Sequence, residues 1–281
     1  MSDLTRKPVL SALCGMIGDG FKPASSGTLA ALDQAIDATF ARRGPAPATG
    51  AGHAASATAS PVAAPAALPQ RDPAHRLGAL SERYESGGRG PGAVSSGLRD
   101  PGGVSYGLYQ LATRTGTAAA FVTAEGSRWA AEFAGCKPGT AGFTAAWQAI
   151  ARREPEPFGT AQHAFIERTH YRPAVNGVKA QTGLDLDARA DAVRDACWSV
   201  AVQHGAASRI LCRAVGAADA GRSRGDVHYD RALVEAIYVA RSDYVRKVAE
   251  TCPPPARQTL LDVITRRYPA ELARALAMLP G

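Results

Sequence analysis

Apolar residues recur at intervals of three and four positions along much of the chain, the spacing that places them on one face of a helix. Runs of β-branched residues, which favour strands, are few. The clearest helical pattern covers residues 230–250, and prolines at 253–255 end it before one or two short closing helices. Its apolar side is formed by Leu233, Ile237, Tyr244 and Val248. The pattern predicts a mainly α-helical protein.

Further helices are predicted where this spacing returns between turn-forming residues. They cover about residues 107–121, 125–134, 142–152 and 158–169. Another helix follows, with Asp187 as its N-cap and Gly205 as its C-terminal stop. An earlier helix begins near Pro73 and should break at Gly87 and Gly88, after which residues 87–107 form a loop or a short β-hairpin.

The composition divides the chain into three zones. Residues 1–43 are predicted to contain one or two short amphipathic helices. Residues 44–72 are rich in Ala, Pro, Gly and Ser with almost no charge, which is typical of an extended linker. Residues 73–281 have the composition of a folded domain. We expect the first zone to be a docking segment; the alternative is that it packs as part of the domain. Its apolar stripe consists of Leu29, Leu32, Ile36 and Phe40.

Charge and hydrophobicity narrow the range of partners. The formal net charge of the 281 residues is +7, which favours polyanions such as nucleic acid, anionic lipid or bacterial cell wall. No block of Lys and Arg stands out, so nucleic acid is not the expected partner. No run of 18 apolar residues exists, and no membrane span is predicted.

The first 20 residues, MSDLTRKPVLSALCGMIGDG, resemble a signal peptide only weakly, because Asp3 and Ser11 interrupt the required pattern. We interpret them as a short helix. The protein is therefore expected to be made in the bacterial cytoplasm and to reach its site of action, the periplasm or cell wall of a target cell, by a delivery machine or by release.

The chain has five cysteines, and none forms a C-x-x-C pair, so a zinc site is not expected. In an oxidising compartment one or two disulfides could form among the last four, although Cys197 equally fits a buried helix face. Cys14 is expected to be unpaired. His163 and His170 lie two helical turns apart without a carboxylate at ligand spacing, and we predict no metal or other cofactor.

One stretch suggests chemistry: YESGGRGPGAVSSGLRDPGGVSYGLYQLATRTG, residues 84–116. Glu85 falls in the last turn of a predicted helix and directly before the glycines. A carboxyl group buried in such a cleft stays protonated near neutral pH and can act as a general acid. The glycines of this stretch would let the backbone approach a sugar ring closely, and Tyr106 and Tyr109 could contact that ring. The alternative is that Glu85 is a solvated surface residue. Glu82 is the competing candidate for the catalytic acid.

These residues resemble a known family. Glu85-Ser86, Ala93-Val94-Ser95 and Gly107-Leu108-Tyr109-Gln110 are similar to the Glu-Ser, Ala-Val-Ser and Gly-Leu-Met-Gln motifs of goose-type lysozymes and lytic transglycosylases. The resemblance covers about 30 residues and implies a lysozyme-like α+β domain, with a small β-hairpin beside a glycan cleft. It makes Glu85 the catalytic acid and Gln110 a glycan contact. The later ARSDYVRKV resembles a transglycosylase segment that would place Tyr244 near the groove, but Ala240 replaces the family's Glu.

DPGGVSYG, residues 100–107, is similar to the Asp-x-x-Gly-x-Thr-x-Gly hairpin of the chitosanases. That resemblance implies that Asp100 is the base activating water and that Ser105 holds this water. Asp-Pro-Gly-Gly is also good turn chemistry in its own right. If the two carboxyl groups lie about 6.5–9.5 Å apart, hydrolysis would invert the anomeric configuration. A separation of about 5–5.5 Å would instead indicate retention.

Other cleft residues are predicted with less direct support. Gln203 and His204, at a helix end, are candidate saccharide contacts. Three tryptophans are expected in the core, although one could stack on a sugar: Trp129, Trp147 and Trp198. The glycine run lacks the Gly-Lys-Ser/Thr of a phosphate loop, and no G-x-S-x-G elbow indicates an acyl hydrolase.

The expected function is a muramidase that cleaves β-1,4 bonds of peptidoglycan, as an antibacterial type VI secretion effector or a phage-tail lysin. Its partners would be glycan strands, a delivery machine that holds residues 1–43, and an immunity protein that plugs the cleft. The alternatives are a chitosanase or lytic transglycosylase of the same superfamily, or a wall-binding module without catalysis.

Overall fold

The computed structural model describes residues 75–80, 90–97 and 103–280. These residues are mainly α-helical, as the apolar spacing predicts. The N-terminal segment, the linker, Cys14, Glu82, Glu85 and Asp100 lie outside the described residues. No helix in the described part of the chain is both long and apolar enough to cross a membrane.

A small hairpin precedes the helical part. Strands β1 (Ser105–Tyr106) and β2 (Leu111–Ala112) pair antiparallel, with Ser105 opposite Ala112. An antiparallel bridge joins Val94 to Tyr106 and adds the preceding segment to this unit. The helix predicted over 107–121 is wrong in its first ten residues, because residues 107–110 turn the chain between the two strands and α1 begins only at Thr117.

The helical part begins directly after the hairpin. Its elements are α1 (Thr117–Thr123), a 3₁₀ helix (Ser127–Phe133), α2 (Ala141–Arg153), α3 (Pro155–Ile166), a π-helical turn (Glu167–Tyr171), α4 (Arg172–Thr182), a 3₁₀ turn (Leu186–Ala188), α5 (Asp191–Gln203), α6 (Ala207–Gly221), α7 (Tyr229–Glu250), α8 (Pro254–Asp262), a second π-helical turn (Val263–Arg267) and α9 (Tyr268–Ala277).

Most of the predicted helices are present, but α4 and α6 lie where no helix was predicted. Local chemistry explains several helix ends. Thr140 caps α2 by accepting a hydrogen bond from the Phe143 backbone N–H, and Pro155 starts α3. The predicted N-cap at Asp187 is wrong, because α5 begins only at Asp191. Asp187 accepts a hydrogen bond from the Tyr171 hydroxyl instead (2.7 Å).

The core has two parts. An aromatic cluster lies behind the hairpin, where the Tyr106 ring lies 5.0 Å from that of Phe143 and 5.2 Å from that of Trp147. The second part surrounds α5, which is buried along almost its whole length and contacts α6, α7 and α9. All three tryptophans are buried, as predicted.

The last four cysteines do not pair with one another, although Cys252 is disulfide-bonded to a cysteine outside the described residues. Cys136, Cys197 and Cys212 are free thiols, so no disulfide joins two of the last four cysteines. Cys197 is buried in α5, which confirms the alternative of a buried helix face.

Candidate active site around the hairpin

The turn between the two strands has an unusual backbone. Gly107 has a φ of 76°, and Gln110 has a φ of 53°. Residues other than glycine rarely adopt this left-handed backbone conformation. The Gln110 side chain stabilises the turn, because its Nε2 donates to the Gly107 carbonyl oxygen (3.0 Å). Strained residues of this kind cluster at binding and catalytic sites, which motivates a functional hypothesis for this turn.

Gln162 of α3 holds the turn against the helices. This side chain has no exposed surface. Its Oε1 accepts from the Leu108 backbone N–H (2.8 Å), and its Nε2 donates to the Pro91 carbonyl oxygen (3.1 Å). Trp147 donates to the same carbonyl through Nε1 (2.9 Å). One amide thus joins the segment before the hairpin to the turn within it.

The loop that contains Asp100 begins and ends on paired backbone. Ser95 and Ser105 are joined by a bond from the Ser95 N–H to the Ser105 carbonyl oxygen (2.9 Å) and by one from the Ser105 N–H to Ser95 Oγ (2.8 Å). A Cβ on Gly97 would lie 2.6 Å from the Val104 backbone nitrogen. The five residues 98–102 therefore connect two chain ends that are in contact.

The stretch that contains Glu85 is held at both ends. Before it, the Asp195 carboxylate of α5 accepts hydrogen bonds from the backbone N–H groups of Gly78 (2.9 Å) and Leu80 (3.0 Å). After it, the Gly90 carbonyl oxygen accepts from the Ala93 N–H (3.2 Å), just ahead of the segment that pairs with the hairpin. Glu85 and Asp100 thus each belong to a short stretch whose flanking residues make the hydrogen bonds described above.

The hairpin residues predicted to act in catalysis or glycan binding are buried. Ser105 and Tyr109 lie almost wholly inside, and Tyr106 has no exposed surface. The Tyr106 hydroxyl accepts from the Gly139 N–H (3.0 Å) and lies 3.0 Å from Thr144 Oγ1. Tyr106 is therefore a core residue with a satisfied hydroxyl, and its position gives no support to a glycan contact.

Tyr109 connects the turn to α3 and α5. Its hydroxyl lies 2.8 Å from His163 Nδ1. The His163 ring in turn stacks on Trp198, with ring centroids 4.4 Å apart and planes 13° apart. These contacts fix the orientation of the turn relative to the central helix α5.

The predicted pair Gln203 and His204 lies at the other end of α5, together with Tyr244. Gln203 is fully buried, and its Oε1 accepts from the Tyr268 hydroxyl (3.0 Å) and from Arg241 Nη2. The His204 ring packs edge-on against Tyr244, 5.4 Å between centroids. Of these three predicted glycan contacts, only the half-buried Tyr244 has substantial surface.

A buried ionic network explains this placement. Glu271 and Arg241 have no exposed surface, and Glu271 Oε2 accepts from Arg241 Nη1 (3.1 Å) and Ser199 Oγ (3.0 Å). Arg267 Nε donates to Glu271 Oε1 (2.5 Å). Burial alone would raise the pKa of Glu271, but the two guanidinium groups of Arg267 and Arg241 hold it below its ordinary value.

Six described carboxyl groups have a pKa that their surroundings lower. Glu125, for example, receives hydrogen bonds from Arg168, which lower its pKa. Every described carboxyl group with a shifted pKa has it lowered: Glu125, Glu154, Asp185, Asp219, Asp226 and Glu271. General acid catalysis needs the opposite shift, so these six groups are unsuited to that role.

The histidines do not form a metal site. His163 faces Tyr109, and Thr169 Oγ1 lies 2.7 Å from His170 Nδ1. Burial lowers the pKa of His170 to about 4. Among the residues that the structure describes, no three His, Cys, Asp or Glu side chains form a group that could hold a metal ion.

The chain is thus a helical domain with a hairpin-centred candidate site, and it is related to type VI secretion. The family described as "Type VI secretion system spike protein VgrG3-like, C-terminal" matches residues 77–268. Because this match covers more than half of the chain, the chain belongs to that family.

A curated relative agrees. The type VI secretion system spike protein VgrG3 of Vibrio cholerae serotype O1 (strain ATCC 39315 / El Tor Inaba N16961) is 40% identical over 139 residues. The aligned region is 50% of this chain and 13% of the relative, so the chain spans about an eighth of that protein's length.

These matches correct the family assignment made from the motifs. Both matches are to a distinct family of type VI secretion spike proteins. The assignment to the lysozyme superfamily of goose-type lysozymes, lytic transglycosylases and chitosanases is therefore wrong. The roughly 30 residues of motif similarity were too few to define the family. The expected link to type VI secretion is confirmed.

Proposed function

We propose that this chain is a cell-wall hydrolase of a type VI secretion system, which cleaves the β-1,4 glycosidic bonds of peptidoglycan as a muramidase. In this proposal Glu85 protonates the leaving oxygen, and Asp100 activates a water molecule. Ser105, at the base of the loop that carries Asp100, helps to position that water. The enzyme would act in the periplasm of a target cell, after synthesis in the cytoplasm of the producing cell.

One observation carries the proposal: both candidate carboxyl groups belong to stretches that meet a single hydrogen-bonded unit. The stretch with Glu85 ends at Gly90, which leads into the segment paired with β1. The loop with Asp100 begins and ends on the same pairing. Acid and base on opposite sides of a glycosidic bond need this kind of common, rigid support.

Six of the described carboxyl groups are unsuited to act as the general acid. A general acid must remain protonated near neutral pH, and the described groups with a shifted pKa are held ionised by their partners. Glu154, for example, accepts from Trp129 Nε1 (3.2 Å) and from Arg153, and these bonds lower its pKa. Glu85 is preferred as the acid because it directly precedes the glycines in the sequence.

The substrate follows from charge and family. A net charge of +7 suits an anionic cell wall. Membership of a type VI secretion family suits a protein that is delivered from the producing cell into a target cell. Residues 1–43 would then bind the delivery machine, and an immunity protein would block the site in producing cells. Tyr244 is the glycan contact that its exposure supports best.

The test compares the wild type with Glu85→Gln and Asp100→Asn on purified peptidoglycan, with mass spectrometry of the soluble products. Loss of the proton donor should lower the rate by roughly 10²–10⁴-fold. Glu82→Gln is the matched control and should keep the wild-type rate. Reducing-end muramic acid products from the wild type support the proposal. Retention of the protein on peptidoglycan without any cleavage would instead favour a binding module.

A further inference from the structure

The carboxylate of Asp195 contacts a segment far away in the sequence. It lies in the middle of α5 with no exposed surface. Oδ1 accepts from the Gly78 N–H (2.9 Å) and lies 3.0 Å from His75 Nε2, while Oδ2 accepts from the Leu80 N–H (3.0 Å). A buried carboxylate with three partners in six residues ties that segment to the central helix.

This contact has the chemistry of a helix cap supplied from outside. The first backbone N–H groups of a helix have no partner within it, and a negative charge at that end is favoured by the helix dipole. Ala79 and Leu80 are helical, so the bonds from Asp195 fall at the start of a helix. A local cap would stabilise the helix wherever it lay, whereas Asp195 also fixes its position relative to α5.

Trp198 limits the space available to Gly78 in the same segment. It lies one turn after Asp195 on α5, and a Cβ on Gly78 would lie only 2.6 Å from its Nε1. Gly78 has a φ of 85°, so both the space and the backbone conformation require glycine. Trp198 also stacks on His163, which contacts Tyr109 of the hairpin turn. Asp195 and Trp198 thus both connect α5 to residues 75–80, and Trp198 also connects α5 to the hairpin turn through His163.

We infer that Asp195 is a positioning residue for the proposed hydrolysis: it fixes the start of the helix on which the sequence places Glu85. The inference rests on the proposed function. Glu85 follows Leu80 by only five residues in the sequence. We expect a shift of the anchored residues to displace the acid, and a misplacement of about 1 Å can cost on the order of 10²-fold in rate.

The test measures kcat and KM on soluble, uncrosslinked peptidoglycan strands, together with amide hydrogen exchange of residues 75–89. Asp195→Asn keeps the shape but turns one acceptor into a donor that faces backbone N–H groups. We expect kcat to fall by about 10²-fold with KM little changed, and exchange at Gly78 and Leu80 to become faster. Glu235→Gln, at an exposed position on α7, is the control and should change neither.

A second variant covers the case in which Asp195→Asn does not fold. Gly78→Ala pushes the same segment away from Trp198 and should lower kcat in the same way. Gly135→Ala is its control, because Gly135 has a φ of 77° and open space around it. An active wild type beside equally active Asp195→Asn and Gly78→Ala variants overturns this inference alone. A wild type that releases no products overturns the proposed function, and this inference with it.

Discussion

Replacement of Glu271 by glutamine tests the buried network that joins α5, α7 and α9. The isosteric Glu271→Gln change puts an amide NH₂ where one oxygen accepted bonds from the other helices. It also leaves the buried guanidinium of Arg241 without its counter-charge. Removing one partner of a buried ion pair costs about 3–5 kcal/mol. For a domain of this size that corresponds to a fall in Tm of about 6–20 °C.

The dependence on pH gives the sign of the effect. The pKa of Glu271 lies below its ordinary value of 4.5 in the folded protein, so its ionised form stabilises the fold. This stabilisation is fully present above the unfolded pKa and is lost as the pH falls through the folded pKa. The difference in unfolding free energy between wild type and variant should therefore be largest above about pH 5 and should shrink below about pH 4.3.

Urea denaturation followed by circular dichroism, repeated between neutral pH and the acid limit of folding, is the assay. Glu235→Gln, an exposed position on α7, is the control and should lie within about 0.5 kcal/mol of the wild type. A Glu271→Gln variant within about 1 kcal/mol of the wild type at neutral pH would refute the role assigned to this network.

Two further predictions concern the turn and the thiols. Gly107→Ala places a Cβ 2.1 Å from Gln162 Oε1 at a φ of 76°, and should destabilise the protein by about 2–4 kcal/mol through strain and a lost buried hydrogen bond. Gly116→Ala, with a φ of 77° and open space, should cost about 1 kcal/mol; equal losses would show that the contact with Gln162 is unimportant. Burial raises the pKa of the Cys197 thiol, so a maleimide should label it only after unfolding; labelling at the rate of Cys212 in the native protein would contradict its buried position.

The sequence pattern is sufficient to predict helices whose apolar face meets the core. In α7, Leu233 and Ile237 are fully buried at the predicted spacing, and Val248 packs at the margin of the core. The three tryptophans are buried for the same reason. Such positions can be predicted because burial of apolar surface dominates their energy.

Buried polar residues could not be predicted in the same way. Gln162 and Asp195 are of residue types that usually lie on the protein surface. Their partners lie 54 and 117 residues away, at Leu108 and Gly78. The prediction that Gln203 faces a glycan depended on its place at a helix end. Its actual partner, Arg241, is 38 residues further along the chain.

The helix predicted from residue 107 was wrong for a local reason. Gly107 and Gln110 both adopt positive φ, and Gln162 receives the Leu108 N–H in place of a helical carbonyl. Glycine at 107 was a visible signal for this turn, and Gln110 was not. The motif similarity over about 30 residues did not identify the family, which required a match over most of the folded part.

The central claim is that this chain hydrolyses peptidoglycan glycan. The most direct measurement is digestion of purified peptidoglycan by the wild type in water labelled with the heavy oxygen isotope, with mass spectrometry of the new chain ends. We expect reducing-end muramic acid that carries one labelled oxygen, because Asp100 is proposed to activate water for attack. Unlabelled 1,6-anhydro ends, or no new ends at all, would contradict it.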